Sequence, residues 1–382
     1  MEIIYALEEP PETYAKSIFL AGPTPRRADV PSWRPEALRL LEDAGYDGVV
    51  FVPESRSGEW HGDYLHQVEW EERCLHLADC ILFWLPRDMA TLPGMTTNDE
   101  WGYWKDSGKV VFGAPDGAES VRYQRHYADQ LRVPTADSLD VVVKLALEKV
   151  GDGAVRSGGE REVPLQVWHT PSFQQWYEAL KHAGNRLDHA RQVWVFQTDH
   201  ERRLLPFWAL RVDVFVVSEN RHKTNEFVLA RPDIATVMMY RRAESFDDST
   251  VVLVREFRSP VSNEQGYVYE LAGGSSFKPG GDPLSLASSE AHEETGLVLD
   301  ASRFCQHESR QLVATLSAHH AHLFSAEITE EEEAWLRSQA GVAHGVFEDT
   351  ERTYVEVRTL GEIRQTRVVD WSMLGMIMQV LH

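Results

Sequence analysis

Two stretches of the chain carry side chains whose type and spacing suit chemistry. In "SSEAHEETGLVL", residues 288–299, Glu290, Glu293 and Glu294 stand at i, i+3 and i+4. On a helix that spacing puts three carboxylates on one face, with Gly296 as the stop. Concentrated like charge is mildly destabilising by itself, and hard oxygen donors suit Mg²⁺ or Mn²⁺. In "MTTNDEWG", residues 95–102, Glu100 is expected at a helix start capped by Thr96, Thr97 or Asn98. There the helix dipole lowers a carboxyl pKa. Trp84, Trp101 and Trp104 offer flat apolar surface for a nucleobase. Arg26, Arg27 and Arg87 offer anion partners.

These residues need a scaffold, and the first part of the chain supplies an alternating one. Apolar runs "SIFLAG", "GVVFVPE", "CILFWLP" and "KVVFGAP" read as strands. Between them "SWRPEALRLLEDAGY", with Ala37, Leu40, Leu41 and Ala44 on one side, "VEWEERCLHLAD" and "NDEWGYWKDSG" read as helices. That order predicts a parallel sheet covered on both faces, with ligands beyond the carboxyl ends of its strands. The loops delivered there are "AGPTPRR", "PESRSGEW", "PRD" and "APDG", while Asp79 ends the second helix just before the third strand. Residues 151–163, "GDGAVRSGGEREV", mix Gly, Ser and charge without apolar periodicity and read as a linker. The expected organisation is therefore a domain over residues 1–150, the linker, and a second α+β domain with a mixed sheet over residues 164–382. In the second, "ATVMMYRR", "STVVLVREFR", "YVYELAGG", "HHAHLFSAEI" and "RTYVEVRTL" read as strands. "ITEEEEAWL" reads as a capped helix start and "WSMLGMIMQVL" as an apolar closing helix. "WHTPSFQQWYEALKHAGNRLDHARQVWVF" is expected to add a helical element before this domain's core.

The composition bounds the partners. A formal charge of −22 argues against an extended nucleic-acid backbone but leaves room for small phosphorylated ligands at local arginines. Apolar content of 43% and charged content of 26% fit a globular protein, and no run is long enough for a membrane span. The start "MEIIYALEEPPETY" lacks a signal pattern. Cys74, Cys80 and Cys305 have no metal-ligand spacing and are expected to be reduced thiols in the cytoplasm. The histidines of "SAHHAH" read as loop or strand residues rather than ligands.

Five ordered blocks, "IFLAGPTPR", "SWRPEALRLLEDAGYDGVVFVPE", "VEWEERCLHLADCILFWLPRD", "LPGMTTNDEWG" and "GKVVFGAP", resemble the nucleoside 2-deoxyribosyltransferase-like family over residues 16–115. The resemblance implies a flavodoxin-like fold and chemistry at an N-glycosidic bond. It makes Glu100 the nucleophile and Asp79 the residue that positions or protonates the departing base. It also implies a nucleoside or nucleoside 5'-monophosphate substrate, held by Gly22, Thr24, Arg26 or Arg27 of the first loop, with Trp84, Arg87 and Asn98 nearby. Transferases carry a further acid where this chain has Gly94, which leaves hydrolysis and base exchange both open. Relatives often complete their sites across a dimer, so a homo-oligomer is expected.

Residues 270–297, "ELAGGSSFKPGGDPLSLASSEAHEETGL", resemble the Nudix box. The resemblance makes Glu290, Glu293 and Glu294 ligands of Mg²⁺ or Mn²⁺ and implies hydrolysis or sensing of a nucleoside diphosphate derivative. Arg255 and Arg258 would meet phosphate, and Glu348, Asp349 or Glu351 would supply a base. The box departs from the pattern at Ser289, at Gly281 and in a loop one residue longer. The two resemblances together imply either a bifunctional nucleotide-processing enzyme or a regulatory nucleotide-binding protein.

Overall fold

The computed structural model describes residues 1–25, 27, 29–57, 64–197, 205, 207–275, 281–346 and 351–382. Arg26, Glu348 and Asp349 lie outside the described residues. The chain divides into two compact units, residues 1–229 and 230–382.

The sheet of the first unit has the strand order Glu2–Tyr5, Val49–Val52, Ser17–Ala21, Cys80–Trp84, Val110–Gly113, Thr135–Ala136. All neighbours pair in parallel; Ile18 stands opposite Cys80 and Ile81 opposite Val110. The central strands are buried on both faces, which is why they read as unbroken apolar runs. One face is covered by the helices Arg34–Asp43 and Leu139–Val150, through Ala37, Leu41, Val142 and Ala146. The other is covered by Tyr64–Leu77, Met95–Trp104 and Arg122–Gln130, through Trp70, Cys74, Trp101 and Ala128. Chain order reverses across Ser17–Ala21, so the crevice that suits a ligand opens beyond its carboxyl end.

Residues 151–163 differ from the expected linker. Arg156–Ser157 pairs with Thr13–Tyr14, and Gly158–Glu162 forms a short 3₁₀ turn. The Arg156 side chain is fully buried. The first unit then continues through the helix Pro171–His182 into a sheet in which Phe207–Val216 pairs antiparallel with Arg186–Phe196 and has Arg221–Ala230 as its other neighbour. Trp208, Leu210, Val212 and Val214 alternate inward on the middle strand of that sheet. The helix therefore belongs to the first unit rather than to the second domain.

The second unit is built on a mixed sheet. Ile234–Arg241 runs parallel to His320–Glu327 and antiparallel to Thr250–Phe257 and Ala272–Ser275. Thr250–Phe257 also pairs antiparallel with Tyr267–Glu270 and Thr353–Thr359. Pro283–Thr295 and Glu330–Ser338 pack on one face with Val237, Val252 and Phe324. Leu360–Thr366 and Trp371–Leu381 pack on the other with Met238, Leu253 and Leu323. Thr329 caps its helix in a reciprocal box with Glu332, as "ITEE" predicts. Among the described residues no helix is long and apolar enough to cross a membrane.

Candidate functional site

The crevice of the first unit is organised by a residue that the sequence presents only as part of a helix. Arg34 opens the helix Arg34–Asp43 and is 1% exposed. Its Nε donates to Leu20 O (3.1 Å), and one terminal nitrogen donates to Gly22 O (2.7 Å). The other terminal nitrogen reaches Thr24 Oγ1 (3.0 Å) and Glu54 Oε1 (2.5 Å). Glu54 also accepts from Ser32 Oγ at 2.8 Å. A cation at a helix start opposes the dipole, so its position needs these acceptors. They fix the ends of two central strands and the loop from Gly22 to Thr24.

That loop is packed too closely for larger residues. A Cβ on Gly22 would lie 2.8 Å from the Trp33 ring and run into the Trp84 carbonyl. Pro23 lies against Gly94, whose left-handed backbone (φ 58°, ψ 52°) starts the helix Met95–Trp104. The helix thus begins at Met95, and Glu100 stands more than a turn inside it. The expected dipole depression does not operate there. Burial, the charge of Glu71 and that of Asp99 push the Glu100 carboxyl up to about 8, against the opposing field of Arg34. Glu71, on the helix Tyr64–Leu77, is also raised by burial, while a hydrogen bond from Gln67 (2.8 Å) and the charge of Arg34 pull it down. Two crowded carboxyl groups beside one guanidinium are suited to sharing a proton, with one acting as acid while the other is ionised.

Asp79 is not part of this group. It precedes the strand Cys80–Trp84, at the amino end of the sheet, and its side chain is fully buried. Its carboxylate accepts from Ser17 N and Oγ (both 3.0 Å), from Leu165 N (3.1 Å) and from two Arg156 nitrogens (2.9 and 2.6 Å). Five donors at the closed end of the sheet make it a structural anchor, and the expectation that it meets a departing base is corrected. Arg87 is likewise spent internally: it donates to Ser120 O (3.0 Å) and to Asn98 Oδ1 (2.6 Å), which also accepts from Gln124. Trp84 packs in the core beneath Arg34–Asp43 and Leu139–Val150 rather than offering a surface to a base. Arg27 is exposed and paired with Asp29 at 2.5 Å. Of the expected site residues, Gly22 and Thr24 meet Arg34 directly, and Glu100 feels its charge. Arg34, Glu54 and Glu71 escaped the sequence reading, although an arginine at a helix start before proline was a signal against the dipole.

In the second unit, Asp282 caps the helix Pro283–Thr295 and Gly296 ends it at φ 75°. Glu294 is buried and accepts from Gly273 N at 2.8 Å; burial holds its carboxyl well above the usual range. Glu290 lies over Gly274, so close that a Cβ there would run into its carboxylate. Burial and the charges of Glu293 and Glu351 push Glu290 up to about 7. Glu293 instead turns outward and accepts from Ser289 Oγ at 2.6 Å. Among the described residues no group of three or more His, Cys, Asp or Glu side chains is arranged to hold a metal ion. Of the expected Mg²⁺ or Mn²⁺ ligands, Glu290 and Glu294 lie against the Gly273–Gly274 backbone, while Glu293 is engaged by Ser289 and still acts on Glu290 through its charge.

Arg255 also departs from expectation. Strand register puts it with Leu253, Tyr269 and Tyr354 on the face opposite the Glu-bearing helix, between the rings of Tyr267 and Tyr354 at 4.6 and 4.8 Å. Arg258 pairs with Glu256 at 2.7 Å, and the charge of Glu256 acts on Glu294.

Residues 15–118 match the family model described as nucleoside 2-deoxyribosyltransferase like. The match spans the first four central strands and includes Gly22, Arg34, Glu54, Glu71 and Glu100. No curated protein matches the chain.

Proposed function

We propose that the first unit cleaves the N-glycosidic bond of a nucleoside or nucleoside 5'-monophosphate. The reading is carried by Glu100, within the matched residues, whose carboxyl is raised by burial and by the charge of Glu71 while the charge of Arg34 opposes the rise. The match itself points to nucleoside glycosyl transfer. In the proposed reaction an ionised Glu100 oxygen attacks the anomeric carbon, and the electron pair of the glycosidic bond leaves with the base. Glu71 in its protonated form gives the base a proton. Glu71 then takes a proton from the incoming acceptor, which displaces Glu100 and frees the sugar when the acceptor is water. Thr24, whose oxygen already accepts from Arg34, has its own proton to offer the sugar or a 5'-phosphate.

For the second unit we propose recognition of a nucleoside diphosphate derivative, with no reaction step assigned to it. The test of the first reading is chromatographic: nucleosides and their 5'-monophosphates are incubated with the wild-type protein and with Glu100→Gln. Free base that appears with the former and not with the latter supports it. A folded protein that releases none from any member rejects it.

A further inference from the structure

We infer that Arg34 is the positioning residue of the first unit, coupling the loop Gly22–Thr24 to the carboxyl pair; this rests on the reading of Glu100 and Glu71 as the reacting groups. Three observations converge. The guanidinium spends its donors on oxygens from two strand ends, Leu20 O and Gly22 O on one and Glu54 Oε1 on the other, and on the hydroxyl of Thr24. The same loop abuts the start of the Glu100 helix through Pro23 and Gly94, and its Pro23 carbonyl accepts from the Trp33 indole at 3.1 Å. Finally, the Arg34 charge acts on both Glu100 and Glu71.

The guanidinium meets one carboxylate, Glu54, and four neutral acceptors, so its charge is only partly neutralised. Its position gives the crevice a fixed positive charge. The groups around Glu100 are Glu71 from one neighbouring helix, Arg34 from another, and Asp99 on its own helix, with Glu54 partly neutralising Arg34. Removing the Arg34 charge must therefore make Glu100 harder to ionise. Removing the Glu54 charge must make it easier. A prop that only holds the loop would move neither.

The experiment is a carboxyl titration by carbon-13 NMR on full-length protein labelled in glutamate side chains, with Glu100 assigned by its absence in Glu100→Gln. Arg34→Met is expected to raise the Glu100 midpoint by about one pH unit and Glu54→Gln to lower it by about half a unit. Arg34→Lys, which keeps the charge and loses the fork, should stay within about 0.3 units of wild type while losing about tenfold in base release. An unmoved midpoint in a folded Arg34→Met overturns the inference. Should that variant not fold, an unmoved or raised midpoint in Glu54→Gln does so. The titration needs no turnover, so a protein that releases no base still decides the role of Arg34 separately from the glycosidic reading.

Discussion

The placement of Asp79 makes a demand that separates an anchor from a catalyst. Replacing Asp79 by Asn removes one charge and leaves the Arg156 guanidinium buried without its counter-ion. Both side chains are fully buried, so solvent cannot compensate. Breaking a buried pair in this way costs about 3–5 kcal/mol. Asn can still accept from Ser17 or Leu165 through one oxygen, but it has an amide nitrogen where a second acceptor stood, which adds to the loss. Against a typical domain stability of roughly 5–15 kcal/mol, this is enough to move a urea midpoint substantially. The assay is urea unfolding of wild type, Asp79→Asn, Arg156→Met and the double variant. The double variant should recover part of the loss, giving a coupling energy of about 2–3 kcal/mol. Base release per folded molecule should be unchanged in Asp79→Asn. An unaltered urea midpoint together with abolished base release would refute the structural assignment and return Asp79 to the chemistry.

Further outcomes follow from the same geometry. The reaction needs Glu100 ionised and Glu71 protonated at once, so base release should pass through a maximum with pH, and a rate that does not vary between pH 5 and pH 9 would oppose the assignment of the pair. Because the folded state raises the Glu100 pKa, the stability this group contributes is present below its ordinary value and lost as pH rises through about 8. Glu100→Gln should therefore gain about 2 kcal/mol over wild type in unfolding free energy between pH 6 and pH 9, read by urea unfolding at each pH. Gly22→Ala, which drives a methyl into Trp84 and Trp33, should cost about 2–3 kcal/mol by the same assay. Gly45→Ala, with open space around it but φ 74°, should cost only about 1 kcal/mol. Millimolar Mg²⁺ should shift the melting temperature by less than about 1 °C, since Glu293 is held by Ser289; a rise of several degrees would show that Glu293 turns back to join Glu290 and Glu294.

The alternation of apolar runs and amphipathic segments made the α/β sheet and the mixed second sheet legible, because both depend on periodicity within short windows. The carboxyl-end rule also led to Gly22 and Thr24, and the resemblance led to Glu100. What escaped depends on pairing over distance. Arg156 meets Asp79 across 77 residues, and nothing in "GAVRSGG" announces a buried charge. The same rule, applied strictly, would have excluded Asp79, since it precedes its strand. Glu54 was delivered at a strand end but drew no notice without Arg34, and Glu71 looked like one acid among several on a charged helix. Glu100 was misjudged in its environment because Gly94 starts the helix early. The glutamate spacing on Pro283–Thr295 was correct, yet spacing alone did not reveal that Ser289 would hold Glu293 outward.

The most direct test of the central claim is peptide mass spectrometry of the protein quenched in acid during turnover of a substrate found in the nucleoside panel. Attack by Glu100 predicts a sugar residue attached to the peptide containing Glu100, and none on that peptide in Glu100→Gln. Sustained release of base with every copy of that peptide unmodified, under conditions where chemistry outruns deglycosylation, would contradict the account and transfer the first step to water.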